Sequence, residues 1–381
     1  MASATSAPPP ASPDDLDAVR AYVRGGPLFP QLGLSDEELT DARVATWASL
    51  ASRLRAQLHL PPDGPLDDAA ASRVYRYYLP VHLWCVARLD AHRARVADAA
   101  PDPDASPSPS PSPPPLVVGV SAPQGCGKTT VVAQLQRLLA SVGVAAASIS
   151  IDDVYLTGAE QDALAAANPE NALLRFRGNA GSHDVALGLD VIRALRGVNR
   201  ASDDDDDDDD DDEKRDDESG GVAVPRYDKT LRGGRGDRAP RDTWPTIRPP
   251  LDVVLLEGWM LGFRPVGPVV AAAASPDLVA VDDALREGGY DALHAEVDEW
   301  MVVKVADAEW VRAWRLEAER AARDDGKPTL TDAEVSDFVD RFMPAYRAYL
   351  PGLYRDGPGE NGWGDALVVE VDASRRVVGG R

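Results

Sequence analysis

The chain has 381 residues, of which 44% are hydrophobic and 27% charged, the make-up of an ordinary globular protein with a sizeable core. No apolar run approaches the roughly 18–20 residues of a membrane-spanning helix, and two cysteines, Cys85 and Cys126, exclude a disulfide framework or a four-cysteine zinc cluster. The net charge of −23 argues against a nucleic-acid partner, since a polyanion is repelled.

That charge is unevenly spread. Residues 203–218 hold fourteen acidic side chains against two basic ones, so about half of the net charge sits there. Such a run repels itself, and an acidic, disordered insertion is predicted over 198–221. Only five of the 40 basic residues are lysines, which makes each lysine informative.

In chain order, residues 1–13 are small and Pro-rich and predict a disordered N-terminus. Residues 14–100 predict a helical region. Leu16, Val19 and Val23 recur at helical spacing. Ser35 with Glu38 forms a capping-box pattern that predicts a helix over 36–58, and a third helical stretch over 68–98 contains Pro80. Tyr75, Tyr77, Tyr78 and Trp84 read as packing residues. The segment 101–115, with eight prolines, predicts an extended linker.

From 116 the pattern changes. LVVGV (116–120) predicts a buried strand, followed by a Gly-rich loop, a helix over 128–141 and a strand over 146–151. That β–loop–α–β order opens an α/β domain, expected to run over 116–375. Further helices are predicted over 157–168, 185–196, 307–323 and 331–349. Further strands are predicted over 251–258, 300–305 and 366–371.

The loop Ser121–Thr130, SAPQGCGKTT, matches a phosphate-binding loop except that Ala122 replaces its first glycine. Glycines let backbone N–H groups turn inward around an oxyanion, and the helix N-terminus favours negative charge. Gly125, Cys126, Gly127, Lys128, Thr129 and Thr130 are therefore the candidate ATP-binding residues. Lys128 would reach the β- and γ-phosphates, and the Thr129 hydroxyl would ligate Mg²⁺. Asp152 and Asp153 follow the second strand, where a carboxylate faces the ligand crevice of an open α/β sheet. Asp152 is either a proton acceptor for an attacking alcohol or a cap for the following turn. Glu257 ends the apolar strand LDVVLLE and suits a Mg²⁺-holding role.

The motifs SAPQGCGKTT, SIDDVYLT, FRGNAGSHD, VPRYDK, GRGDRA, LLEGWMLGF and WRLEAE occur in that order. Together they closely resemble the plant-type D-glycerate 3-kinase family over about 116–354, and more distantly the uridine kinase, pantothenate kinase and phosphoribulokinase group. The resemblance implies a P-loop NTPase fold, with a central, mostly parallel sheet flanked by helices behind an N-terminal helical region. It implies ATP-dependent phosphorylation of D-glycerate to 3-phosphoglycerate, a photorespiratory step, and hence a chloroplast location; the weak N-terminal pattern leaves the cytoplasm open. It also assigns Asp152 as the base, Glu257 as Mg²⁺ support, and Arg315 and Arg320 as lid arginines. Glycerate is a small anion and calls for a cation with hydroxyl-binding partners. Arg177, Arg226 and Lys229 are the candidates for its carboxylate, with Tyr155, His183, Asp184 and Tyr227 for its hydroxyls. The competing class is a P-loop ATPase or switch acting through partners.

Overall fold

The structure, a computed structural model, describes residues 7–99, 112–200, 220–326, 330–359 and 362–380. The linker expected at 101–115 and the insertion expected at 198–221 lie mostly outside the described residues, as does the first half of the segment 1–13. Where described, their edges are packed. Pro10 and Pro13 are buried, and the Ala7 carbonyl accepts from Arg76 Nη2 at 3.5 Å. Asn199 is buried and its Nδ2 donates to the Pro113 and Leu251 carbonyls.

A central sheet organises the domain. Its strands are β1 (Leu116–Ser121) and β2 (Ala146–Ser150), then β7 (Val253–Gly258), β8 (Glu299–Val305), β9 (Leu367–Val371) and β10 (Val377–Gly379). Between β2 and β7 lie two short antiparallel pairs: β3 (Val222–Ala223) with β6 (Thr246–Ile247), and β4 (Tyr227–Asp228) with β5 (Asp237–Arg238). The sheet order is β10-β9-β8-β1-β7-β2, parallel throughout except for β10. Strands β1 and β7 are buried at every position, as expected for inner parallel strands covered on both faces. Their apolar runs have no alternation because neither face meets water.

The helix Lys128–Ser141 follows β1, matching its predicted bounds. Two sequence expectations shift. The Ser35–Glu38 capping box closes a separate 3₁₀ turn, Asp36–Glu38, and the helix proper is Asp41–Gln57, capped by Thr40. The single helix expected over 331–349 is two, Asp332–Asp340 and Met343–Asp356. Pro344 explains the break: it lacks an N–H and its ring would clash with the carbonyl one turn back, so it starts a new helix instead. Over 259–298, where the sequence pattern predicts no element, Pro268–Ala274, Leu278–Glu287 and Tyr290–Ala295 are helical.

The N-terminal helices share the sheet's hydrophobic cluster, which runs from Val19 to Val377. Gln31 clamps strand β9 by accepting from Val368 N and donating to Val368 O, both at 2.8 Å. Tyr75, Tyr77, Tyr78 and Trp84 are all buried packing residues. They lie around a π-helical stretch, Ser72–Tyr78, directly before Pro80, where a widened turn takes up the hydrogen bond that proline cannot make.

Candidate active site

Parallel register brings three chain segments to one edge of the sheet. Glu257 on β7 is level with Val120 on β1 and with Ser150 on β2. The Gly-rich loop leaves β1 and Asp152 follows β2, so both open beside Glu257 at the carboxyl ends of the strands, where open α/β sheets bind ligands. Gly125 and Gly127 hold φ of 78° and 95°, in the left-handed region that favours glycine. A Cβ on Gly125 would also lie 2.8 Å from the Trp314 Cβ. No side chain caps the helix at Gly127, so its first N–H groups stay open to an anion.

Charge alternates along this edge. Lys128 Nζ lies 2.5 Å from Glu257 Oε2, and Lys229 Nζ lies 2.5 Å from Asp152 Oδ2. Burial opposes the charge on Lys128, but Glu257 and Asp152 outweigh it and hold the ammonium above its usual range. Burial would likewise raise Asp152; Lys229 and Lys128 overcome it and bring the carboxyl down to about 2. Asp152 is therefore a charged acceptor at neutral pH, facing the phosphate-loop lysine. The turn-capping role belongs to its neighbour: Asp153 accepts from Ser150 N at 3.1 Å and Tyr227 N at 3.3 Å, and pairs with Arg226 at 3.3 Å. Asp153 thus fastens the segment carrying Lys229 to the end of β2.

Around Asp152 the structure assembles an aromatic and cationic wall. The Tyr155 hydroxyl faces the Asp152 carboxylate, and its ring stacks on His183 with centroids 4.6 Å apart. Tyr227 meets Tyr155 edge-on at 5.3 Å, and the Arg177 guanidinium sits 5.4 Å from the Tyr227 ring centre. Arg177 also donates to the Gly234 carbonyl at 3.2 Å and to that of Arg235. Burial pushes the His183 imidazole down to about 4. Asp184 is spent locally: it caps the helix Val185–Gly197 and takes a 3.0 Å bond from Arg238.

The two lid candidates separate. The backbone N of Arg315 is 3.7 Å from where a Gly125 Cβ would stand, which places it against the phosphate loop; its guanidinium pairs with Glu319 and covers the Phe338 ring at 4.9 Å. Arg320 is 57% exposed and pairs with Asp332 at 2.8 Å, and the structure does not bring it to the Asp152–Glu257 cluster. Cys126 is buried in the loop and its thiol is pushed up to about 11 by burial, so it acts as a filler. Thr129 and Thr130 lie exposed on the first turn of the helix. Trp259 and Met260 are buried packing residues, Trp259 among Phe263, Phe342 and Tyr346.

Sequence reasoning missed several supports of this site. The Tyr346 hydroxyl accepts from the loop's Gln124 N at 3.0 Å. Arg375 donates to the Gly125 carbonyl at 2.8 Å, pairs with Glu317 at 2.9 Å, and lies over Trp314. Asp162 pairs with both Arg232 and Arg235, pinning the basic loop. On the other side of the phosphate loop, a cavity of about 400 Å³ is lined by Gly127, Thr130, Tyr77, Arg73, Glu317 and Arg375, among others. Tyr77 and Tyr78 thus pack the N-terminal region and also face the loop.

A strand, Gly-rich loop and helix in a parallel sheet, with acidic residues at the carboxyl ends of β7 and β2, define a P-loop kinase. No family model matches the chain. It is 38% identical over 357 residues to the chloroplastic D-glycerate 3-kinase of Arabidopsis thaliana, covering 94% of this chain and 72% of that one. It is 32% identical to the "Probable ATP-dependent kinase TDA10" of Saccharomyces cerevisiae over 276 residues, covering 69% of this chain and 86% of the relative. Among solved structures, D-glycerate 3-kinase from Cryptococcus neoformans superposes with a TM-score of 0.64 at 27% identity, covering 79% of this chain and 98% of that one. The chain belongs to the D-glycerate 3-kinase family.

Proposed function

We propose that this protein transfers the γ-phosphoryl group of ATP to the 3-hydroxyl of D-glycerate, giving ADP and 3-phosphoglycerate. The observation that carries this reading is the meeting of Lys128, Glu257 and Asp152 at one sheet edge beside a wall of Tyr155, His183, Tyr227, Arg177 and Lys229. The names of the Arabidopsis and Cryptococcus relatives support the choice of acceptor.

In this mechanism the loop N–H groups and Lys128 hold the β- and γ-phosphates. The nucleoside leaves by Thr130 into the 400 Å³ cavity. Asp152, charged and without a proton, accepts the hydroxyl proton as the acceptor oxygen attacks phosphorus and ADP departs. Lys229 now neutralises Asp152; with substrate bound, the same ammonium can turn to the substrate carboxylate, as Arg177 and Arg226 can from the neighbouring segments. Arg315, packed on the loop, neutralises charge on the transferred group. The fold also calls for Mg²⁺. The residues fit it by the chemistry of their donors: Glu257 is a buried carboxylate now paired with Lys128, and the Thr129 hydroxyl is a second hard oxygen donor. When bound, the ion neutralises phosphate charge.

The compartment we assign is the chloroplast, on the name of the Arabidopsis relative; subcellular fractionation tests it. The activity test is ADP release with Mg-ATP against D-glycerate, L-glycerate, uridine, pantothenate and no acceptor, with product identification. Turnover with D-glycerate yielding 3-phosphoglycerate is the expected result. Equal ADP release with and without acceptor would overturn it.

A further inference from the structure

His183 and Tyr290 make a contact that the proposed chemistry has not used. His183 Nδ1 lies 2.8 Å from the Tyr290 hydroxyl oxygen, and that oxygen also accepts from Gly181 N at 3.0 Å. Tyr290 is 1% exposed and His183 6%. A tyrosine hydroxyl has one proton to give. Among the described residues, the only acceptor within reach of that proton is His183 Nδ1. If Nδ1 carried its own proton, the tyrosine O–H would be buried with no acceptor, an arrangement that native interiors avoid. Hydrogen-bond accounting therefore places the tyrosine proton on the line to Nδ1 and leaves Nδ1 as the acceptor. A neutral imidazole then holds its proton at Nε2. Nε2 is buried and has no partner among the described residues. Its ring is stacked on Tyr155, whose hydroxyl faces Asp152.

We propose that Tyr290 locks His183 in the Nε2–H tautomer, so that His183 donates a hydrogen bond to an oxygen of the bound hydroxy acid and does not take its proton. Tyr290 is then a positioning residue for substrate recognition. Its own ring stands edge-on to the imidazole at 5.8 Å, which fixes the plane as well as the tautomer. The burial that holds the ring neutral is in keeping with this role. The division of labour is chemical: Asp152 is the proton acceptor, and His183 offers a donor matched to carboxylate or hydroxyl lone pairs. An acceptor lacking an oxygen at that position would leave the buried N–H unpaired, which makes this pair a specificity element. The inference rests on the reading of the Asp152 pocket as the acceptor site.

The test is two-bond ¹H–¹⁵N correlation NMR on [¹⁵N]histidine-labelled full-length protein at pH 7, with His183→Gln to assign the signals. The expected result is a neutral ring with a protonated Nε2 and an unprotonated Nδ1, and a shift at Nε2 on adding D-glycerate. Tyr290→Phe should give mixed tautomers, and should raise KM for D-glycerate about tenfold with KM for ATP within twofold. An Nδ1–H tautomer or an imidazolium in the wild-type protein overturns the proposal, and this measurement does not depend on the variant folding. An unchanged tautomer in folded Tyr290→Phe also overturns it. The expected tautomer with no D-glycerate shift, in protein that turns D-glycerate over, refutes donation to substrate. Absence of both shift and turnover refutes the acceptor-site reading and leaves the tautomer assignment standing.

Discussion

Asp152→Asn separates chemistry from binding and from stability. The change keeps the side chain's volume and an oxygen for Lys229, but removes the charge that faces Lys128 and Lys229. A positioned base contributes about 10²- to 10⁴-fold to rate, so kcat for D-glycerate should fall by that factor. ATP affinity should hold or improve, because one negative charge beside the phosphates is gone. The carboxyl sits at about 2 in the fold against an ordinary value of 3.8, which corresponds to roughly 2 kcal/mol of stability at neutral pH. The folded value is the lower one. The contribution is therefore complete above the unfolded value and is lost as pH falls from about 3.8 through about 2. Urea titrations at pH 7 should show the variant less stable by about that amount, and the gap should close towards pH 2. Coupled ADP-release kinetics and ATP-binding calorimetry complete the assay. A folded variant with kcat within threefold of wild type would refute Asp152 as the proton acceptor.

Four other outcomes are expected. Gly178→Ala places a Cβ about 2.5 Å from the Phe342 ring, at a φ of 141°, and should cost more than about 2 kcal/mol in a thermal or urea melt. Arg320→Ala removes an exposed pair with Asp332 and should change stability by less than about 1 kcal/mol and kcat by less than about threefold. Arg315→Ala should instead cost about 10²-fold in kcat, and equal effects of the two would refute the distinction. Arg375→Ala breaks the bond to the Gly125 carbonyl and should raise KM for ATP about three- to tenfold, with KM for D-glycerate unchanged in steady-state assays.

Much of the fold is local in origin and was readable. The strand, loop and helix around Lys128 have the predicted bounds because apolar runs, glycines at left-handed positions and helix periodicity act within a dozen residues. The boundary errors are also local: at Ser35 two capping signals lay five residues apart, and the nearer one closed only a 3₁₀ turn. At 331–349 the apolar periodicity hid the break that Pro344 imposes. The stretch over 259–298 is split into short helices that pack on one another and on the helices Met343–Asp356 and Val185–Gly197, partners distant in sequence.

The site divides the same way. Lys128, Asp152 and Glu257 stand at the ends of recognisable strands, so their type and position in the sequence announced them. Arg375, Tyr346, Asp162 and Tyr290 carry no motif, and each reaches the site across a long stretch of chain: Arg375 meets Gly125 over 250 positions. The sequence by itself determined which residues can bind phosphate and which can accept a proton, because those properties belong to side-chain chemistry and to short backbone patterns. Only the tertiary structure decided which of them act together. The parallel register set Glu257 level with Val120 and Ser150, and helix packing laid the Arg315 backbone against the loop while Arg320 stayed with Asp332. Partner choice is a matter of distance in space, and distance is fixed only when the whole core closes.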